Sequence, residues 1–352
     1  MTNKFSLGIG LMRHDPGDFI TTQKIVDTAF ENKITYIETC NFYLNSKCEE
    51  IAEKALRKYS RESYTLCAKL PVKGTLESVK DPSIIFEQQL RTLNTDYFDI
   101  YLLQALDIDC FKILLDTGAI QYLLKQKQLG RIKKFGFSFH DTAEVLDKYL
   151  NLKCFDIVQI QLNYYDWYLS SGKSLYKRCR EKDIPIIVMG PTKGGVLIDS
   201  LPEEAREKFR DYKKAPLDFL KGLDGIAYVL TGANSVKMLE ENIEYAISKK
   251  EYEEEQFIDA INIYKKSNLI QCTGCNYCGN CPAGLDIKTY FYNYNQILLH
   301  GKEYENYDSY MHFLRNNFPM DRCLNCGQCE YRCPQHLPIR KLLHKNIFEM
   351  RL

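Results

Sequence analysis

The chain has 352 residues, 45% of them hydrophobic, and 47 Lys+Arg against 46 Asp+Glu leave a formal net charge of +1. That length suits one large domain of roughly 250 residues and a smaller one. The near-neutral balance gives no electrostatic case for a nucleic acid or an anionic membrane surface as partner, and no apolar run approaches a membrane span.

Met1-Thr2-Asn3-Lys4 leads into a strand rather than a signal peptide, and residues 5–11, Phe-Ser-Leu-Gly-Ile-Gly-Leu, read as that strand. The pattern then alternates. Helix 20–32 precedes strand 34–40, helix 46–59 precedes strand 64–70, and helix 83–94 precedes strand 97–103. A helical stretch near 111–128 precedes strand 132–138, and helix 142–150 leads to strand 155–162. Helix 172–182 leads to strand 185–190, helix 216–222 to strand 226–231, and a last helix spans about 235–248. Repeated βα units imply a parallel sheet, and eight of them at this length predict a closed (β/α)8 barrel. A doubly wound sheet would want a glycine-rich phosphate fingerprint after the first strand, and Gly8-Ile9-Gly10 lacks the third glycine. We expect a barrel over 1–250 and a mainly α-helical second domain over 251–352, with 249–267 as a helix joining them.

In a barrel, reactive groups gather where strands end and in the loops that follow. Those positions hold Glu38, Tyr43, Lys69, Gln104, Ser138, His140, Gln159, Gln161 and Asn163, then Gly190 to Gly195 and Gly232 to Asn242. A lysine ammonium beside a phenol lowers the phenol's pKa and makes it a workable proton donor near neutrality, which singles out Tyr43 and Lys69. The plainer reading is a surface tyrosine and a strand-end lysine. His140 precedes Asp141-Thr142-Ala143-Glu144, which reads as a helix start rather than a ligand contact.

The last stretch carries two dense cysteine runs, Cys272-x2-Cys275-x2-Cys278-x2-Cys281-Pro282 and Cys323-x2-Cys326-x2-Cys329-x3-Cys333-Pro334. Three thiolates at intervals of three can wrap one cubane, with a fourth thiolate before proline reaching the neighbouring one, so the spacing points to two 4Fe–4S clusters. A crossover pattern would give Cys272, Cys275, Cys278 and Cys333 to one cluster and Cys323, Cys326, Cys329 and Cys281 to the other. Structural zinc draws on separated pairs, and disulfide frameworks belong mostly to small secreted chains. Cys40, Cys48, Cys67, Cys110, Cys154 and Cys179 are scattered singly and read as free thiols of a reducing cytoplasm. Between the runs, Tyr290, Tyr294, Ile297, Leu298, Tyr310, Phe313 and Leu314 recur at helical spacing. The connector is similar to the helical two-cluster ferredoxin domains appended to larger oxidoreductases.

The whole chain resembles the aldo-keto reductases of the branch that carries C-terminal iron–sulfur motifs. The likeness rests on residues 7–13, on Tyr36-Ile37-Glu38-Thr39 with Tyr43, on Ala68-Lys69-Leu70-Pro71 and on Asp99-Ile100-Tyr101-Leu102-Leu103. It continues through residues 136–141, 158–164 and 191–197, then Leu230-Thr231-Gly232 with Glu241-Asn242. The resemblance implies carbonyl reduction with NADP or NAD by an aspartate, tyrosine, lysine and histidine tetrad. Tyr43 and Lys69 match two members, whereas Glu38 stands for the aspartate and Gln104 for the histidine. By the same likeness, Gln159 and Asn163 hold the nicotinamide amide, Ser138 adds a contact and Tyr164 stacks on the ring. Gly194, Gly195, Gly232 and Asn234 approach phosphates with bare backbone, and Glu241 and Asn242 hold the adenine. Asparagine and serine at strand ends also serve simply as helix caps. The slot for a base at the 2′-phosphate reads Asn234-Ser235, with Lys237 displaced, so the choice between NADPH and NADH stays open.

Two functions compete on this reading. The first is an iron–sulfur oxidoreductase passing hydride to or from a carbonyl or activated alkene. The second is a cofactor-binding regulatory or electron-transfer protein with little ordinary carbonyl reductase activity, which Glu38 and Gln104 favour. A small-molecule substrate, a ferredoxin or other redox partner, and a cytoplasmic setting are expected; nucleic acid and membrane are not.

Overall fold

The computed structural model describes residues 5–316 and 322–343. Eight strands close into a parallel barrel: β1 (Ser6–Gly10), β2 (Tyr36–Glu38), β3 (Thr65–Pro71), β4 (Phe98–Leu106), β5 (Ile132–Phe139), β6 (Ile157–Gln161), β7 (Ile186–Met189) and β8 (Ile226–Thr231). β8 pairs back onto β1, with Gly8 opposite Leu230 and Ile9 opposite Thr231. The strands read as apolar runs because a parallel sheet is covered on both faces.

The main helices lie where the periodicity places them, with local differences, among them two short helices, Val196–Asp199 and Glu203–Arg206, after β7. The single helix expected over 111–128 is two, Ile108–Thr117 and Ala119–Gln128, parted by Gly118 at φ 63°. An additional helix, Tyr164–Leu169, follows β6 directly. After β3 the chain makes a loose turn through Gly74 (φ 78°) before helix Pro82–Thr92, which Asp81 caps through the Ser83 N–H.

The barrel interior is plugged on the β2 side by Tyr36, two residues before Glu38 and so on the same strand face. Tyr36 packs among Cys67, Ile100, Leu102, Ile157, Ile187 and Leu230, and stacks on Tyr228 with ring centroids 4.2 Å apart. Gly8 makes room for it: a Cβ there would lie 2.4 Å from Tyr36 Cδ1. Everything above this plug faces the ends of the strands, where loops rather than core side chains decide the chemistry.

The chain separates into two compact units, residues 1–191 with 214–252 and residues 192–213 with 253–352. The barrel is the first. The second is mainly helical, with helices Glu254–Lys266, Ile287–His300 and Tyr307–Asn316. Its core gathers Ile270, Leu285, Tyr290, Phe291, Tyr294, Tyr310 and Cys333. Tyr290 and Tyr294 bury as their spacing predicts, Leu298 is 46% exposed, and the side chains of Phe313 and Leu314 lie outside the described residues. Asn295 fixes the segment entering the first cysteine run: its Oδ1 accepts from Ile270 N–H and its Nδ2 donates to Ile270 O, both at 2.8 Å. Among the described residues, no helix is long and apolar enough to cross a membrane.

Candidate active site and cysteine cavities

β2 and β3 end side by side, which brings an acid and a base into contact inside the barrel. Lys69 Nζ donates to Glu38 Oε1 at 2.6 Å and to Tyr43 Oη at 3.0 Å. Tyr43 comes from the 3-10 turn Tyr43–Ser46 that follows β2. Glu38, Tyr43 and Lys69 are all buried, Lys69 to 2% exposure, so the ammonium is worth more to both partners than it would be in water. The longer glutamate therefore still reaches the lysine.

Gln104 stands at a defect in β4. The register against β5 shifts between Leu103 and Leu106, and Ala105 takes a left-handed φ of 53°. A bulge of this kind bends the strand and re-aims the side chain beside it. Ser138 on β5 braces the defect, its Oγ accepting from Ala105 N–H at 2.8 Å. The Cys40 thiol donates to Gln104 Oε1 at 3.0 Å. Burial, with Glu49 nearby, raises the Cys40 pKa well above the usual thiol value, so it stays a donor. Oε1 accepts in this way, and a glutamine amide carries N–H donors but no titratable proton.

A second buried layer lies behind Lys69, and the sequence reading missed it. Gln89 Nε2 donates to Glu49 Oε1 at 2.5 Å and to Lys69 O at 2.9 Å, and Tyr101 Oη donates to Gln89 Oε1 at 2.5 Å. Burial pushes the Glu49 carboxyl up to about 7, against the hydrogen bonds of Gln89 and the Asn41 backbone. A signal was present: Glu49 shares a helix face with Ala52 and Leu56. Cys40 carried none, because its partner is 64 residues away.

The residues expected at the cofactor divide into those open to a ligand and those already engaged. Gln159 is 1% exposed, and its Oε1 has no hydrogen-bond partner. A buried carbonyl oxygen without a donor is costly, and a carboxamide N–H of a nicotinamide would satisfy it. Ser138 accepts from Ala105 and keeps its O–H to give. Gly232 and Asn234 are exposed in the loop after β8, and Ser235 caps helix Val236–Ile247. Glu241 and Asn242 lie half-buried on that helix, Asn242 Nδ2 donating to Thr231 Oγ1 at 2.8 Å.

At three expected contacts the side chain or backbone is already engaged. Asn163 is fully buried: its Oδ1 caps Tyr164–Leu169 by accepting from Asp166 N–H, and its Nδ2 donates to Asp166 Oδ2 and Gly190 O. It is a helix cap tied to the end of β7, with both amide N–H groups engaged and one lone pair of Oδ1 in use. Tyr164 is also fully buried and meets Phe219 edge-on, centroids 6.4 Å apart, so it presents no open face to a ring. Gly195 N–H donates to the backbone and hydroxyl oxygens of Thr192, and a Cβ at Gly195 would lie 2.8 Å from Asp199 Oδ2. The Asp199 carboxyl, its pKa raised by burial, lies against this turn. Gly194, at φ 71°, shares this segment, which belongs to the second unit.

In the second unit the cysteines line two cavities. Cys272, Cys275, Cys278 and Cys333 border one; Cys281, Cys323, Cys326 and Cys329, with Cys278 at the edge, border the other. The space enclosed is about 340 and 440 Å³ respectively, open solvent included. Burial pushes the Cys278 thiol up to about 12, with Cys275, Cys272 and Cys333 adding their charges, which places these four together. Among the described residues, no three His, Cys, Asp or Glu side chains converge on a point that one metal ion would fill. Four thiolates round a space is the donor set of an iron–sulfur cubane, so the residues fit such a group.

Fold and site together define a (β/α)8-barrel protein whose mouth holds a buried carboxylate–lysine–phenol chain, joined to a cysteine-lined helical module. The chain belongs to the aldo/keto reductase family, whose model matches residues 6–218, and is an NAD(P)H-dependent oxidoreductase of that type. Residues 271–337 match a 4Fe-4S dicluster domain. An uncharacterized oxidoreductase of Bacillus subtilis (strain 168), YqkF, is 25% identical over 281 residues, covering 70% of this chain and 88% of the relative. The holo form of aldo-keto reductase AKR11C1 from Bacillus halodurans superposes with a TM-score of 0.61 at 23% identity, covering 72% of this chain and 91% of that one. An aldo/keto reductase from Klebsiella pneumoniae in complex with NADP and acetate gives 0.57 at 20%, covering 74% and 91%.

Proposed function

We propose that the barrel transfers hydride between NADPH or NADH and a carbonyl or activated alkene, with Tyr43 as proton donor. The observation that carries this reading is the Lys69 ammonium held between Glu38 and the Tyr43 hydroxyl. The nicotinamide, when bound, supplies or accepts the hydride. Gln159 Oε1 and the Ser138 hydroxyl would hold its carboxamide. Glu38 keeps Lys69 charged and in place, and Lys69 polarises the phenol so that its proton moves to the substrate oxygen or carbon as negative charge grows there. The Gln104 amide, oriented by Cys40, donates a fixed hydrogen bond to the same atom. Because that amide carries no titratable proton, position 104 adds none to the pH dependence of turnover.

The cysteines would hold two clusters in crossover: Cys272, Cys275, Cys278 and Cys333 at one, Cys281, Cys323, Cys326 and Cys329 at the other. Such clusters, when bound, exchange electrons singly.

NADPH oxidation against a broad panel of aldehydes, ketones and enones tests the first part. Tyr43→Phe is expected to lower turnover by about 10²–10⁴-fold while cofactor affinity holds; equal turnover would remove Tyr43 from the reaction. A cofactor-binding or electron-transfer role with little carbonyl turnover is favoured by Gln104 itself. A Glu38→Asp/Gln104→His double variant that gains aldehyde reduction strongly over the native chain would support that second reading.

A further inference from the structure

The two cysteine cavities differ in what surrounds them. Cys326 is exposed, whereas the other seven cysteines of the two runs are half-buried or buried. Beside it, on the same cavity, Leu324 is 66% exposed. Arg332 and Arg340 line the same cavity, and Arg322 Nη2 donates to Ala283 O at 2.9 Å on its rim. Residues 322–343 carry four basic side chains, Arg322, Arg332, Arg340 and Lys341, against one acidic, Glu330. Glu330 is occupied by Arg340 at 2.6 Å, so the local excess remains positive. The first run has no such excess: residues 272–291 hold Lys288 against Asp286.

We infer that the face formed by Leu324 and Cys326, with Arg322 and Arg332 at its edge, docks an acidic protein that carries one electron. This rests on the cluster reading above and adds the surface, its charge and its partner class. An apolar centre with a charged rim is the ordinary anatomy of a small, short-lived interface. The sign of the rim selects the partner: positive charge steers a negative surface to it and turns a positive one away. A ligand cysteine at the surface gives the shortest path between the two centres. A reduced carrier seated there would give up one electron to a cluster held by Cys281, Cys323, Cys326 and Cys329, with no atom or proton exchanged. The other cavity, with Cys333 buried and its charges balanced, lacks these features.

The test uses anaerobically purified protein of full length. Its iron and acid-labile sulfide are measured, and bleaching by dithionite is recorded. Calorimetric titration with a plant-type 2Fe–2S ferredoxin, an acidic carrier, is then run at about 0.01 M and about 0.15 M ionic strength, between which screening shortens the reach of charge several-fold. Affinity is expected to fall about tenfold or more with salt. An Arg322→Glu/Arg332→Glu variant should lose at least as much at low salt and keep its iron and its dithionite response. Lys24→Glu, an exposed change on helix Phe19–Glu31, should bind as the native chain does. Loaded clusters with an affinity indifferent to salt and to both arginines, or equal binding of the basic cytochrome c, would overturn the docking face alone. Protein purified without iron and sulfide would overturn the cluster reading and the docking face with it.

Discussion

Glu49 is the residue whose burial reaches furthest into behaviour. Its carboxyl titrates near 7 in the folded chain, above the ordinary value of 4.5. A raised carboxyl pKa means that the folded state holds a proton the unfolded state has released, so its contribution to stability is complete below about 4.5 and is lost as pH rises through 7. Relative to Glu49→Gln, the native chain is expected to lose about 3 kcal/mol across that window in urea titrations. His14 works in the opposite sense, because burial lowers it to about 4 and the folded state gains as pH rises from there towards 6.5. The difference between native and variant curves is therefore the readout, and a flat difference would show Glu49 to be ionised throughout. Asn163 belongs to the same scale. Asn163→Ala removes a helix cap and strands Gly190 O, so it should cost about 3 kcal/mol in the urea midpoint. Gln159→Ala should instead appear mainly as weakened NADPH binding. Of the site, Glu38, Tyr43, Lys69 and Gln104 were legible because strand ends in a barrel are where chemistry gathers. The capping role of Asn163 stood in the sequence only as the plainer alternative to a nicotinamide contact, because the helix it caps was not expected. Cys40 and Gln89 were not legible, since a contact across many tens of residues leaves no mark in a local pattern.

At the scale of elements, the defect in β4 matters more than the regular strands around it. A left-handed alanine is held there by one hydroxyl, and Gln104 is the side chain it turns. Ser138→Ala leaves the Ala105 N–H without its acceptor and should cost about 1–2 kcal/mol of stability. It should also lower turnover more than it lowers cofactor affinity; unchanged turnover would show that the bulge holds itself. The strands were legible as short apolar runs between helical segments, and the repeat count gave the barrel. The bulge was not, because its cause is the fit of β4 against β5 rather than any propensity of Gln104-Ala105. The helix Tyr164–Leu169 went unseen because six residues are too few to establish a period, although its cap was in plain view.

For the whole molecule, the division into two units predicts two responses to iron. A structural metal is folding free energy for the part that holds it. Removing iron with an oxidant and a chelator should abolish one thermal transition, assigned by loss of cluster absorbance, and leave the barrel's far-ultraviolet signal and NADPH binding in place. Loss of both together would make the units one cooperative body. The second unit is not a simple appendix, however. Residues 192–213 belong to it, with Gln256 Nε2 donating to Lys208 O, Phe209 against Phe257 and Gln296 reaching Ser200. Yet β8 and its helix come between these residues and their partners. On the ribosome the sheet can therefore zip shut while this short stretch still waits for chain not yet synthesised. A stop codon after Tyr252 would leave Lys208, Phe209 and Ser200 without Gln256, Phe257 and Gln296, and translation meets these partners in that same order in every newborn copy.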